Sequence, residues 1–114
     1  MPRFVILEHD WNGVHYDLML EHGETLATWR LESRLRSGIQ PAIKLPDHRT
    51  AYLEYEGEVS GDRGCVRRVD EGEYAVSSIT DRCWIVELQG KVPGKATLRR
   101  EALECWQLEW QALH

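Results

Sequence analysis

Two histidines and an aspartate, His9, His15 and Asp17, lie close together near the start of the chain. If the segment from Val14 to Glu21 is a β-strand, His15 and Asp17 project from the same face, because side chains alternate with a period of two. His9 can complete the set from the preceding strand. Two imidazoles and one carboxylate suit a divalent first-row metal such as Mn, Fe or Zn and leave positions open for water and substrate. The spacing therefore predicts an open metal site.

The same spacing has a plain structural explanation. A string of the form H-x5-H-x-D is short and common by chance, and short motifs have a real false-positive rate. Taken alone, it fits a solvated turn followed by a packed strand histidine at least as well. The metal hypothesis therefore depends on the surrounding sequence.

Short strands separated by turn residues are predicted along most of the chain. Apolar and polar residues alternate, or β-branched residues cluster, in nine segments: 3–8, 14–21, 25–31, 52–59, 65–70, 73–79, 83–88, 95–100 and 104–111. Residues 32–40 are expected to form an irregular loop. Pro41 and Pro46 restrict residues 39–45 to an edge strand or a loop, and residues 101–104 are a candidate helical turn. The pattern indicates an all-β fold, either an antiparallel barrel or a sandwich.

Length and composition point to one globular domain, residues 1–114. The chain is 42% hydrophobic and contains five tryptophans, of which Trp84, Trp106 and Trp110 are predicted to be core residues. It has no apolar stretch long enough to span a membrane and no signal-peptide pattern at its start, so we expect a cytoplasmic protein without a membrane partner. No role is assigned to His114.

The charge and the cysteines narrow the classes of protein further. The net charge of −5 argues against a protein that coats nucleic acid, which needs a basic surface. It does not exclude an enzyme that holds one or two phosphates at a strand end. Cys65, Cys83 and Cys105 are odd in number and widely spaced, so we expect reduced and mostly buried residues rather than disulfides or a zinc ribbon.

A second group of residues with chemical potential lies at His48, Arg49 and Tyr52, next to the predicted strand 52–59. A histidine can protonate a leaving oxygen or hydrogen-bond a phosphate, and a tyrosine hydroxyl can donate to a phosphate oxygen. A loop histidine and a tyrosine packed on the fold explain the segment equally well. Only its coincidence with the first group favours a functional role.

Several linked motifs together resemble the 3′-phosphoesterase domain of bacterial DNA ligase D. They are Phe4-Val5-Ile6-Leu7-Glu8-His9-Asp10, His15-Tyr16-Asp17-Leu18 with Leu20-Glu21, Leu26 to Trp29, Asp47-His48, Tyr52, and Tyr55-Glu56-Gly57. The resemblance covers residues 3 to 100 and is strongest up to Gly57. It implies a small antiparallel β-barrel of roughly eight strands with short helical turns.

The resemblance also implies a function. Such domains are hydrolases that trim 3′ ends during DNA repair by non-homologous end joining, removing a 3′-terminal ribonucleoside and then the 3′-phosphate. The expected cofactor is a divalent metal, characteristically manganese, with zinc and cobalt as alternatives. The expected partners are the 3′ end of a primer–template and a polymerase or ligase encoded as a separate chain.

The resemblance assigns roles to individual residues. His9, His15 and Asp17 fall on its metal-ligand positions, and His48 and Tyr52 fall on its catalytic, phosphate-contacting positions. Where the family has a phosphate-contacting arginine, however, this chain has Met19, which offers no charge and no donor. Four cations are candidates to replace it, with Arg30 and Arg49 assigned to phosphate and Lys44 and Arg67 as further choices.

Two other functions therefore stay open. The first is a non-catalytic module that holds a metal, a phosphate end or a repair partner, which Met19 and the net negative charge favour. The second is a metal enzyme that acts on a small phosphoester or on a substrate without phosphate.

Overall fold

The computed structural model describes residues 1–113, and His114 lies outside the described residues. Residues 1–113 contain nine β-strands and one short 3-10 helix, joined by turns and loops. The strands are β1 Arg3–Asp10, β2 Val14–His22, β3 Thr25–Leu31, β4 Gly38–Arg49, β5 Gly57–Glu58, β6 Cys65–Ile79, β7 Cys83–Gln89, β8 Gly94–Ala102 and β9 Cys105–Ala112. The 3-10 helix is Thr50–Leu53. Within residues 1–113, no helix combines the length and the apolar character needed to cross a membrane.

Eight of the strands close into an antiparallel barrel. The order of neighbours is β1-β2-β3-β4-β9-β8-β7-β6, and β1 pairs with β6 to complete the ring. The two-residue strand β5 adds to β6 outside the ring. This confirms the predicted all-β barrel of roughly eight strands.

The strands β1 and β2 carry apolar residues on both faces. Phe4, Ile6, Leu18 and Leu20 point into the barrel and join the main core, where the predicted core residues Trp84, Trp106 and Trp110 also lie. The alternate residues face outward and form a second cluster, which consists of Val5, Leu7, Met19, Leu26, Leu53 and Val66. One half of this hairpin therefore needs a cover outside the barrel.

Residues 48–66, which we call the roof segment, provide that cover. Leu53 and Val66 are buried in the outer cluster, and Tyr52 and Val59 pack partly against it. The prediction of a strand over 52–59 is wrong, because the neighbours Tyr52 and Leu53 both pack inward, as a 3-10 turn allows and an alternating strand does not. Only Gly57–Glu58 of that segment is strand.

The second difference concerns residues 38–49, which form a full interior strand rather than an edge or loop. Each proline of β4 lies at a position where β4 is not paired with one of its two neighbouring strands. Pro41 pairs with β9 only, since pairing with β3 ends at Ala42, and Pro46 lies past the end of the β9 ladder at a bulge opposite β3. A proline is tolerated at such positions because its missing N–H leaves no ladder bond broken.

Three smaller expectations are also corrected. Residues 65–70 and 73–79 belong to one continuous strand, because Gly72 lets the backbone pass close to Gln89; a Cβ at Gly72 would lie 2.1 Å from the Gln89 carbonyl oxygen. Residues 101–104 make a hairpin turn with Leu103 at φ +49° instead of a helical turn. The cysteines are free, as expected, but they are not buried: Cys65 and Cys105 are exposed and Cys83 is half-buried, since all three begin a strand.

Candidate metal centre

The hairpin β1–β2 brings the three predicted metal ligands together on the outer face of the barrel. His9 and His15 are direct cross-strand partners, and Asp17 follows His15 on the same face two residues later. One ligand atom from each residue lies within 4.8 Å of the others. His9 and Asp17 are buried, at 9% and 4% exposure, so the predicted cluster is present and shielded from solvent.

The hydrogen bonds around the three residues leave acceptor atoms facing one another. His9 donates from Nε2 to the Arg63 carbonyl oxygen at 2.7 Å, which leaves Nδ1 as the ring nitrogen directed at Asp17 Oδ2, 3.7 Å away. His15 Nε2 lies 3.6 Å from Asp17 Oδ1, and both of these buried atoms lack a hydrogen-bond partner among the described residues.

The electrostatics of the site match this geometry. Burial, with help from the nearby Arg30 and His9, lowers the pKa of His15 to about 4, so its ring is neutral at physiological pH and offers a lone pair. Burial also raises the pKa of Asp17, although the neighbouring His9 and Arg30 oppose that shift. Buried acceptors without donors are costly, and a divalent cation is a group that would satisfy all three at once. The donor set thus fits a metal ion.

Among the four candidate cations, Arg30 lies at this cluster. It lines the pocket that His9 and Asp17 also line, which we call the metal pocket. It is the direct cross-strand partner of Asp17, and its buried Nε has no hydrogen-bond partner among residues 1–113. Among residues 1–113 it forms no ion pair, so its charge is directed to the pocket rather than to a protein carboxylate. Of the four candidate cations, Arg30 is therefore the one that lines this pocket together with Met19.

The other three candidate cations lie elsewhere. The Lys44 ammonium donates to the Leu45 carbonyl oxygen at 2.7 Å and lies over the Trp29 ring. Arg67 donates to the Glu8 carboxylate at 2.9 Å. Arg49 lies in a neighbouring pocket of about 200 Å³, which it shares with Tyr52, and does not line the metal pocket.

His48 reaches the metal pocket because of an irregularity in β4, and Tyr52 reaches it from the 3-10 helix that follows β4. His48 pairs with Leu26 and Leu45 pairs with Thr28, so three steps along β4 match two along β3, and the resulting bulge returns His48 to the outer face. His48 Nδ1 donates to the Pro46 carbonyl oxygen at 2.9 Å, which leaves Nε2 for the pocket. The Tyr52 ring packs edge-on against the His48 ring, with centroids 5.6 Å apart.

The structure adds two residues that carried no role in the sequence. Trp11 is 37% exposed at the rim of the metal pocket, which has a volume of about 110 Å³. Its ring stacks on the His9 ring, with centroids 5.9 Å apart. Trp29, in contrast, is fully buried in the core. Arg63 lines the pocket and supplies the carbonyl that orients His9. Arg63 lies 54 residues from His9 along the chain, and no spacing pattern connects the two.

Close backbone contact at Gly64 holds this part of the roof segment in place. Gly64 has φ +74°, and a Cβ at that position would lie 1.9 Å from the Asp10 carbonyl oxygen and 2.9 Å from the Trp11 Cβ. Only glycine allows the roof segment to approach the β1–β2 turn so closely. The contact positions the Arg63 carbonyl over His9.

The fold and the site thus define a class of protein. It is a small closed β-barrel that carries a candidate metal-ligand cluster and cations on its outer face. Residues 7–102 match the family described as the DNA Ligase D 3′-phosphoesterase domain. The chain belongs to this family, as its motifs indicated.

Curated relatives agree with the family match. The chain is 31% identical to the multifunctional non-homologous end joining protein LigD of Mycobacterium bovis and to the multifunctional non-homologous end joining DNA repair protein LigD of Mycobacterium tuberculosis. Each alignment covers 90% of this chain. The chain spans about 15% of the length of each of these relatives.

Proposed function

We propose that the protein is a metal-dependent phosphoesterase that removes 3′-terminal ribonucleosides and 3′-phosphates from nucleic-acid ends. Membership of a 3′-phosphoesterase family supports the reaction class. The names of the two mycobacterial relatives support a role in DNA repair by non-homologous end joining. We further propose the 3′ end of a primer–template as the substrate and a separate polymerase or ligase as the partner.

The single observation that carries the proposal is the composition of one pocket. Two of the candidate ligands, His9 and Asp17, line the same small pocket as Arg30, His48 and Tyr52, and His15 lies within 4.8 Å of those two ligands. Arg30 forms no ion pair with any residue in the range 1–113. Acceptors for a cation beside donors for an anion are what a metal-bound phosphate requires.

The residues around the pocket have different proposed roles: some hold the metal, and others contact the phosphate. A divalent ion held by His9, His15 and Asp17, which we propose to be manganese, would polarise a phosphoryl oxygen and acidify a bound water. Arg30 lies where it can offset negative charge on the phosphate, and a cationic His48 can donate from Nε2 to a phosphate or leaving oxygen. The Tyr52 hydroxyl can donate to a non-bridging oxygen.

The test is a trimming assay on a primer–template with a 3′-terminal ribonucleotide, with and without added manganese, in which release of the ribonucleoside and of phosphate is followed. We expect manganese-dependent trimming by the wild type and none by His9→Ala. Zinc and cobalt are compared in the same assay. Trimming that persists in His9→Ala would remove the ligand cluster from the mechanism.

Met19 supplies the second arm of the test, because it favours the non-catalytic alternative. Met19 is buried at the wall of the pocket and contributes neither charge nor donor. If the wild type does not trim but Met19→Arg does, the chain is a binding module that retains its metal site. Turnover of a small phosphomonoester with weak binding to strand ends would indicate the small-substrate alternative.

A further inference from the structure

A second pocket opens beside the metal pocket, on the other side of Tyr52. It is lined by Arg49, Ala51, Tyr52, Tyr55, Glu58, Val59 and Ser60, and it shares Tyr52 and Val59 with the metal pocket. Its volume of about 200 Å³ exceeds the 110 Å³ or so of the metal pocket. The two pockets are therefore adjacent compartments of one surface.

Two side chains in this second pocket, Arg49 and Tyr55, are exposed to solvent. Arg49 is exposed and forms no ion pair or side-chain hydrogen bond with any other residue in the described range 1–113. Tyr55 is 40% exposed, and its ring is held in place because its hydroxyl donates to the Glu58 carbonyl oxygen and its edge packs on Tyr52. A free guanidinium beside a fixed, exposed aromatic ring is the pairing that binds a phosphate and a base of a single strand.

The chemistry of a strand end decides which nucleotide fits. Both proposed reactions break a bond at the phosphorus that is attached to the 3′ oxygen of the penultimate nucleotide. A terminal ribonucleoside carries no phosphate beyond the scissile one, whereas the penultimate nucleotide carries a second phosphate on its 5′ oxygen. Within the strand that is trimmed, a cation one compartment away from the scissile phosphate can therefore meet a second phosphate only on the upstream side.

We infer that the pocket of Arg49 and Tyr55 binds the penultimate nucleotide, with Arg49 on its 5′-phosphate and the Tyr55 ring against its base. Glu58 lines the same pocket, and its carboxylate can accept a hydrogen bond from an amino or hydroxyl group of the nucleoside, which favours a nucleotide over free phosphate. The inference rests on the proposed function for the identity of the scissile phosphate. It gives Arg49 a phosphate different from the one that Arg30 faces.

The test compares two small probes, adenosine 3′,5′-bisphosphate and adenosine 3′-monophosphate, in the presence of manganese. They differ only in the 5′-phosphate that Arg49 is proposed to hold. We expect the wild type to prefer the bisphosphate about tenfold and Arg49→Gln to lose that preference while it still accepts the monophosphate. Arg82→Gln is the matched control, since Arg82 is exposed in the turn between β6 and β7 and lines neither pocket; it should retain the preference.

The readout separates this inference from the proposed function. If the protein releases phosphate from the probes, the preference is the ratio of the two kcat/KM values. If it releases none, the preference is the ratio of the two Kd values from calorimetry, and the trimming assay on the primer–template decides the proposed function separately. Equal use of both probes by the wild type, or an unchanged preference in Arg49→Gln, would overturn the role of Arg49.

Tyr55 provides an independent check on the base. Tyr55→Ala should weaken use of both probes about fivefold, because the base loses its stacking surface, and Tyr55→Phe should keep it. No change in Tyr55→Ala would remove the base from this pocket. A loss in Tyr55→Ala and Tyr55→Phe alike would mean that the hydrogen bond to Glu58 shapes the pocket instead.

Discussion

The candidate metal ligands and the proposed phosphate-side residues form two walls of one site, and the chain builds the two walls differently. His9, His15 and Asp17 come from a single hairpin whose register places them side by side. His48 and Tyr52 come from a strand bulge and a 3-10 helix in the roof segment. Ladder pairing places the residues of the first wall side by side, whereas the second wall depends on a bulge and on packing between distant segments.

The two walls also differ in what supports them. Behind the ligand hairpin lies the main core of the barrel, which includes Phe4, Leu18 and Leu20. The roof segment is attached mainly by Leu53 in the outer cluster, by the close contact at Gly64 and by the hydrogen bond from His9 to Arg63. We therefore expect the ligand wall to tolerate changes in the roof, while small changes in the roof displace the phosphate-side residues.

The largest effect is expected from Asp17→Asn, which breaks the ligand wall without changing its shape. Trimming should fall by more than the roughly 10- to 100-fold loss typical of residues that only orient a metal ligand. The metal-free protein should become more stable, because a buried carboxylate is replaced by an amide that can donate to His9 Nδ1 or His15 Nε2. Activity and thermal unfolding without metal measure the two effects.

Added manganese provides the control for Asp17→Asn. It should raise the Tm of the wild type, since a ligand that binds only the folded state stabilises it, and it should have little effect on the variant. A variant that is less stable than the wild type without metal would show that Asp17 is a structural residue and not a ligand.

The next effect tests the attachment of the roof segment. Gly64→Ala should destabilise the fold by roughly 2 to 3 kcal/mol, because the new Cβ meets the Asp10 carbonyl and φ is +74°. Gly61→Ala is the matched control: its φ of +76° is nearly the same, but the nearest atom to a Cβ there is the flexible Arg63 Nε at 3.5 Å. It should cost roughly 1 kcal/mol. Urea unfolding of both variants measures the difference, and equal losses would mean that the close contact does not hold the roof.

Arg30 and Lys44 test which cation acts on the phosphate, since the sequence offered both as candidates. Arg30→Gln should reduce trimming about tenfold, since it removes a charge that faces the phosphate compartment. Lys44→Gln should leave trimming nearly unchanged, because Lys44 lies over Trp29 and donates to a backbone carbonyl. The kcat/KM for 3′-phosphate release measures both. Equal losses would indicate a diffuse charge effect rather than a positioned guanidinium.

What could be predicted from the sequence follows the same division. His9, His15 and Asp17 were accessible because alternation along β2 and a short turn bring local residues onto one face. The positions of His48 and Tyr52 rest on the family resemblance, because the bulge at Pro46–Asp47 reverses the alternation that periodicity assumes. The Arg63 carbonyl and the location of Arg30 depend on long-range pairing, which no local pattern contains.

The smallest effect is expected in the barrel core, and it tests whether stability and activity can be changed separately. Tyr74 is buried and its hydroxyl donates to the Glu21 carbonyl oxygen at 2.6 Å. Tyr74→Phe should cost about 1 kcal/mol and leave trimming unchanged, since Tyr74 lines neither pocket at the site.

The same residue predicts a pH dependence. Burial raises the pKa of Tyr74 to about 12 from a usual value of 10. Because the folded state binds this proton more tightly, the contribution is fully present below about pH 10 and is lost as the pH rises toward 12. The stability difference between wild type and Tyr74→Phe, from urea unfolding at pH 8 and pH 11, should therefore shrink at the higher pH. A constant difference would show that the hydroxyl ionises as easily in the folded state as in the unfolded one. Burial in the barrel core would then not raise the pKa of Tyr74.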